Sequence, residues 1–506
     1  MNKLLAFDLG TGGNKAALFD AEGNCLASVF AAYDTFYPRP QWHEQKPNDW
    51  WKAVVNSSRQ LLKQTQICSE EIAGIAVSGH SLGVVQLDAA GRLLHETTPI
   101  WSDSRAVEEA KEFFQTADYD QWYMTTGNGF PASHYPAFKL RWFRKHFPEA
   151  FAKTANVVGT KDYINYKLTG VIATDFSYAS GSGVYDLKRW RYDESLIEAI
   201  RLPRRIFPNV VASAEILGTL TPEAANELGL SVKTAVVAGG VDNSCMAAGA
   251  KTFRSGECYA SLGSSSWIAV SNSVPLLDVK FKPYIFAHVV PNQFASALAI
   301  FSSGTTFRWL RDTLCQNIRV EAEQLGVNPY ELMIRYAKDI PIGANRLLMN
   351  PSLAGGSSLD PSPNIRGAFI GLDLSHTQAD LIRAALEGIA LNMRCVLDAL
   401  RNLTTLETTM TVVGGGAISP IWRQIYADAM NIGIVKTDID QNAAALGAAA
   451  IAAVGTGLWS SFDLIHAGHQ SEEIISPIPE NAEQYQCLLE RFIQIREFLG
   501  AFSKFI

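Results

Sequence analysis

Strand-length apolar runs alternate with longer amphipathic stretches along the chain. Residues 4–20, LLAFDLGTGGNKAALFD, set two apolar runs on either side of a break rich in glycine and threonine. This predicts a strand, a tight turn and a second strand. A further turn, DAEGN at 20–24, leads to another short strand. Residues 49–67, DWWKAVVNSSRQLLKQTQI, carry apolar positions at helical spacing and predict an amphipathic helix starting near Asn48 or Asp49. The run IAGIAVSG then reads as a buried strand. Continued alternation of strands and helices predicts an α/β architecture.

The second half repeats the theme. TAVVAGGVDNSCMAAGA, from residue 234, predicts a strand, a Gly-Gly turn and a helix capped near Asp242 or Asn243. GECYASLGSSSWIAVSN follows as strand, small-residue turn and strand, echoing the N-terminal pattern. Similarity at this scale predicts a duplicated α/β domain. The boundary is placed near 250, giving domains 1–250 and 251–506 with a cleft between them.

Bulk properties narrow the class. The 506 residues are 47% apolar and 18% charged, enough for a large core. A net charge of -7 argues against nucleic acid or an anionic membrane as the main partner. Cysteines at 25, 68, 245, 258, 315, 395 and 487 form no CxxC pair, which points to reduced thiols. With no signal-peptide pattern and no long uncharged apolar run, the expected location is cytoplasmic, with no membrane partner.

Several short motifs could carry chemistry. In DLGTGGNK at 8–15, turn amides can nest phosphate oxygens, Lys15 can add charge, and Asp8 offers an oxygen ligand to Mg²⁺. A plain β-hairpin explains the same residues. SLGSSS at 261–266 offers hydroxyls and amides, or is only a turn. VVGGGAIS at 412–419 runs a strand into three glycines and a helix start, which suits a flat ligand and an anion. Neither a Walker A motif nor Rossmann spacing is present. Asp242 is either an N-cap or a base for an alcohol. WSDSRA at 101–106 and the pair Lys161–Asp162 set charge beside aromatic or apolar residues, as in sugar sites or as surface ion pairs. His80 in VSGHSLG reads on its own as a structural histidine.

Taken in order, these segments resemble the FGGY carbohydrate kinases from about residue 4 to about 457. GAFIGLDLSHTQADLIRAALE at 367–387 resembles that family's long C-terminal signature. The resemblance implies duplicated actin-like (ribonuclease H-like) ATPase domains with an interdomain cleft, ATP and Mg²⁺ as cofactors, and a sugar as acceptor. It implies Asp242 as catalytic base, and Asp242, Asn243, His80, Ser81, Asp103 and Arg105 at the sugar. Asp8 falls near Mg²⁺. Thr11, Gly12, Gly13 and Lys15 match the first phosphate loop, and Gly263, Ser264 and Ser265, with Gly304, the second. Gly415, Gly416, Ala417 and Ser419 match the adenosine segment, to which AAALGAAAIA is joined. A homodimer is compatible with the family.

Xylulokinase-type members give the nearest match, through PRPQWHEQKPNDWW and TKDYINYKLTG. The chain departs from them at Gly79-His80-Ser81-Leu82-Gly83, where they carry Gly-Gln-Met-His-Gly. Losing the sugar-contacting His, here Leu82, puts D-xylulose in question and leaves L-xylulose, ribulose, glycerol or another polyol as alternatives. A nucleotide-dependent chaperone or filament module on the same fold would need a further binding domain or surface. A non-catalytic sensor would be expected to have lost Asp8 or Asp242.

Overall fold

The computed structural model describes residues 2–439, 442–468 and 471–505. Two units emerge, and neither is one contiguous stretch. The first comprises Met1–Ser255, Ser271–Ser296 and Asn442–Gln470; the second comprises Gly256–Val270, Ala297–Gln441 and Ser471–Ile506. The chain thus leaves the first unit soon after residue 250 and returns to it twice.

The first unit is built on a mixed sheet. Lys3–Gly10 pairs antiparallel with Gly13–Phe19, which pairs antiparallel with Cys25–Ala32. On its other side Lys3–Gly10 runs parallel to Ile72–Gly79. Ile72–Gly79 is flanked in turn by Ala235–Val237 and by the short strand Gly240–Val241. Leu5, Phe7 and Leu9 alternate toward one face, where they join Trp50, Trp51, Val54, Ile75 and Val77 in a buried core.

That face is covered by the helix Pro47–Thr65. Pro47 sits at the first helical position, where its missing N–H costs nothing, and Gln66 ends the helix with φ 55°. The helix therefore starts one to two residues before the Asn48 or Asp49 start predicted from capping preference, because proline can begin a turn it could not continue.

The opposite face is met by the alanine-rich helix Ala443–Gly455, which also lies against the helix Asp242–Gly249. The two helix backbones come so close that a Cβ on Gly249 would stand 1.8 Å from the Ala443 carbonyl oxygen. A Cβ on Gly447 would stand 1.9 Å from that of Cys245. Small residues here serve helix packing within the first unit.

The second unit repeats the hairpin. Cys258–Leu262 pairs antiparallel with Ser266–Asn272, leaving Gly263-Ser264-Ser265 at the tip. Cys258–Leu262 runs parallel to Thr409–Val413, which runs parallel to Gly433–Thr437. The helix Gln378–Arg401 starts with a capping box in which the Asp380 carboxylate accepts from the Thr377 amide and hydroxyl at 2.7 and 2.6 Å. Further along it, buried Glu387 accepts from Arg383, Tyr485 and the Gly343 amide.

Candidate functional site

In the first unit, Asp8 stands near the end of its strand, in register with Lys15 across the hairpin and with Ser78 on the other side. The Ser78 hydroxyl donates to Asp8 Oδ1 at 2.8 Å. Burial pushes the Asp8 carboxyl up, while the Ser78 hydrogen bond and the Lys15 charge pull it back.

Asp242 is the first residue of its helix, and the N-cap is Val241, which has no capping side chain. The N-cap reading of Asp242 is thereby replaced: its carboxylate accepts from the adjacent Asn243 amide at 2.8 Å. Burial, and after it the Asp8 carboxylate, push the Asp242 carboxyl up to about 7, against the Asn243, Asp242 and Ser81 amides. Two like charges at one end of a sheet disfavour joint ionisation. Tyr33 joins this pair; its hydroxyl donates to the Gly10 carbonyl at 2.5 Å, and burial, Asp8 and Asp242 all raise its pKa. The sequence reading missed Tyr33 because nothing in its spacing ties it to either carboxylate.

The hairpin tip is held from outside. Thr11 receives the Trp101 indole N–H on its hydroxyl at 2.9 Å and the Gln45 amide on its carbonyl at 2.7 Å. Thr11 and Gly12 are exposed, whereas Gly13 is buried at the start of the next strand.

Gln45 also links the tip to His80. Its carbonyl oxygen accepts from the Trp50 indole at 2.9 Å and lies 3.3 Å from His80 Nε2. Since that oxygen only accepts, Nε2 carries the proton, and Nδ1 accepts from Thr160 at 3.0 Å. His80 is 2% exposed, and burial pulls its pKa down to about 4. His80 is thus a neutral, fully partnered residue under the hairpin. Ser81 beside it is buried, and the next residue, Leu82, holds φ 59°.

Asp103 and Arg105 are brought together with each other. Arg105 donates to both Asp103 oxygens and to Glu44 at 2.6 Å, while the His43 amide donates to Asp103 Oδ2 at 2.8 Å. The guanidinium lies over the Trp42 and Trp142 rings, 4.1 and 4.9 Å from their centroids. The preceding Trp101 keeps 38% of its surface exposed.

Lys161 and Asp162 are not a surface pair, because both are buried with Asp175 in an ion cluster. Against the pull of burial, the two carboxylates hold the Lys161 ammonium above its usual range. Asp175 accepts from the Ser177 and Ser213 hydroxyls at 2.6 and 2.8 Å, and the Ser177 oxygen accepts the Val241 amide at 2.9 Å. The cluster therefore fixes the backbone that delivers Asp242. A second buried lysine, Lys139, was not singled out from the sequence. Its place between Phe138 and Leu140 in the helix Pro136–His146, with Ala137 before them, was the available signal.

In the second unit, the amides of Ser303 and Thr305 donate to the Ser264 carbonyl at 3.2 and 3.0 Å, and that of Gly304 to the Gly263 carbonyl at 3.0 Å. A Cβ on Gly304 would stand 2.5 Å from that Gly263 oxygen, so this helix start accepts only glycine without a shift. Gly304 thus anchors the Gly263-Ser264-Ser265 tip. On the adjacent parallel strand, the chain turns at Gly414 into a single 3₁₀ turn, Gly415–Ala417. Ser419 then caps the helix Pro420–Met430, accepting from the Trp422 amide at 3.4 Å. The two loops leave neighbouring strand ends of one sheet.

Known proteins share this fold. The chain is 28% identical over 501 residues to the xylulose kinase of Bacillus subtilis (strain 168), covering 98% of this chain and 97% of that protein. It is 28% identical over 499 residues to the gluconokinase of the same strain, covering 98% and 96%. The crystal structure of ligand-bound xylulose kinase from Lactobacillus acidophilus matches with a TM-score of 0.91 and 25% identity, covering the whole of both chains. The molecule is a sugar kinase, an enzyme that phosphorylates a sugar at the expense of ATP. Residues 3–249 match the N-terminal domain of the FGGY family of carbohydrate kinases and residues 258–456 its C-terminal domain, and the chain belongs to that family. Among the described residues, no helix is long and apolar enough to cross a membrane.

Proposed function

We propose that the enzyme phosphorylates a hydroxyl of a pentulose, or of a related ketose or polyol, with Asp242 accepting the proton of the attacking hydroxyl. The observation that supports this most is the burial of Asp242 beside Asp8, which, burial first and the Asp8 charge after it, brings its carboxyl to about 7. A base works best when its pKa lies near the working pH. Phosphoryl transfer otherwise asks the protein mainly for positioning and charge. In this reading Asn243, Ser81 and the half-exposed Trp101 ring line the sugar, and Asp103, Arg105 and His80 act by fixing the segments that carry them.

Thr11, Gly12 and Gly13 form a small-residue tip suited to phosphate oxygens, and so, in the second unit, do Gly263, Ser264 and Ser265. Gly415 leaves backbone open beside the base and ribose, whereas Gly416 packs against Leu262 and Ala417 is buried, so those two shape the turn behind it. Mg²⁺ fits the donor set at Asp8: one carboxylate oxygen takes Ser78, and the other accepts no hydrogen bond among the described residues. No cluster of three His, Cys, Asp or Glu stands ready for a metal among the described residues. That suits an ion which keeps water and takes one carboxylate. Bound there, Mg²⁺ would neutralise phosphate charge. The isolated free thiols support a cytoplasmic location.

A gluconokinase is as similar to the chain as a xylulose kinase, so a sugar acid is the second reading for the acceptor. An ADP-release assay with Mg-ATP separates them across D- and L-xylulose, D- and L-ribulose, ketohexoses, glycerol, ribitol, erythritol and D-gluconate. Turnover highest on a ketose or polyol supports the first reading, and highest on gluconate the second. A flat panel with ATP bound refutes both.

A further inference from the structure

We propose that Lys139 is a positioning residue for the sugar, its amino group clamping the His80–Gly83 loop to the Ile100–Asp103 turn. The Nζ atom is fully buried and donates to the Leu82 carbonyl at 3.0 Å and to the Ile100 carbonyl at 2.7 Å. These acceptors belong to two segments distant in sequence. One leads on from the strand beside Asp8 and carries Ser81; the other carries Trp101, Asp103 and Arg105. The Ile100 carbonyl also receives the Asp103 amide at 3.1 Å, so the lysine closes on a turn that is already hydrogen bonded.

Leu82 shows why a clamp is needed. Its φ of 59° is a conformation that a leucine avoids, and such a backbone persists only where its surroundings enforce it. The Lys139 amino group holds the carbonyl of that residue. One amino group can serve both carbonyls, and it keeps donors enough for both although burial pulls its pKa down to about 7. The inference rests on the reading that these two segments receive the sugar.

The test is Lys139→Met, which keeps an unbranched buried chain and removes the donor. Two readouts are taken. Hydrogen exchange without any sugar reads the clamp alone; it is expected to quicken in peptides covering 80–84 and 100–105 and to stay unchanged in those covering 258–270. Steady-state kinetics with D-xylulose and, in parallel, D-gluconate are expected to show a sugar KM raised at least tenfold, with kcat and the ATP KM within threefold. A merely structural role would reduce the active fraction, and with it kcat, at constant KM. Faster exchange in both segments with an unchanged sugar KM overturns the role in sugar positioning. Unchanged exchange overturns the clamp. If K139M does not fold, Lys139→Gln, which keeps a donor for one carbonyl, is read the same way. In the wild-type chain, both segments are expected to gain exchange protection together on adding the turned-over sugar; protection of one alone overturns the proposal.

Discussion

Asp8 and Asp242 approach each other across Ser78, which is in register with Asp8 on one side and with Gly240, just ahead of Asp242, on the other. Two segments far apart in the chain so deliver two carboxylates to one end of a sheet. Burial and the Asp8 charge both hold the Asp242 carboxyl near 7. Because the base must be ionised, kcat/KM for the sugar is expected to rise with pH, with a midpoint near 7. Asp8→Asn removes a negative neighbour, so the rise should move to lower pH, while burial keeps it above the ordinary carboxylate range. A profile unmoved by Asp8→Asn would show that the two groups are not coupled.

Ser177 is expected to matter for Asp242 without touching it. Ser177→Ala leaves the buried Val241 amide without its acceptor, costing about 1–3 kcal/mol of stability. It also frees the backbone just before the base, so kcat should fall more than sugar affinity does. Thermal unfolding together with kcat and KM checks this, and an unchanged kcat in a destabilised protein would limit the cluster to folding.

Gly304→Ala addresses the second unit. The added methyl meets the Gly263 carbonyl oxygen and must displace the Ser264 tip. An ATP KM raised by about tenfold to a hundredfold, with the sugar KM within twofold, is the expected result. Equal effects on both substrates would count against this tip as a phosphate loop.

Leu82→His tests the acceptor. Histidine tolerates a left-handed backbone better than leucine does. The substitution restores the residue found there in xylulokinase-type sequences. The ratio of kcat/KM for D-xylulose to that for D-gluconate is expected to rise at least about tenfold. An unchanged ratio would show that position 82 does not select the sugar.

Much of this architecture could be read from the chain. The two small-residue hairpins at Gly10–Gly13 and Leu262–Ser266 appear where periodicity and turn chemistry put them. Asp242 begins a helix after a glycine turn, as its segment predicts, though one residue inside the cap. What pattern could not show was tertiary. Lys161–Asp162 looks like a surface pair until Asp175, from another element, closes over it. Asp103 and Arg105 look open to a ligand until Glu44 and two tryptophans surround the guanidinium. The helix Ala443–Gly455 looks like a continuation of the adenosine segment, yet it packs in the first unit on the helix of Asp242. Side-chain partners drawn from distant segments leave no periodic trace in the sequence.

The most direct test of the account is Asp242→Asn, measured with Mg-ATP and the best sugar of the panel from pH 5 to 9. The account predicts that kcat falls roughly 10²- to 10⁴-fold and that the rise near pH 7 disappears, while sugar and ATP still bind. It also predicts a higher unfolding temperature than wild type above pH 7. The wild-type carboxylate is costly when ionised in the fold, and that gain should vanish as pH falls toward 4, where the wild-type carboxyl is already neutral. Near wild-type turnover in a folded Asp242→Asn enzyme, with the pH dependence intact, would contradict it.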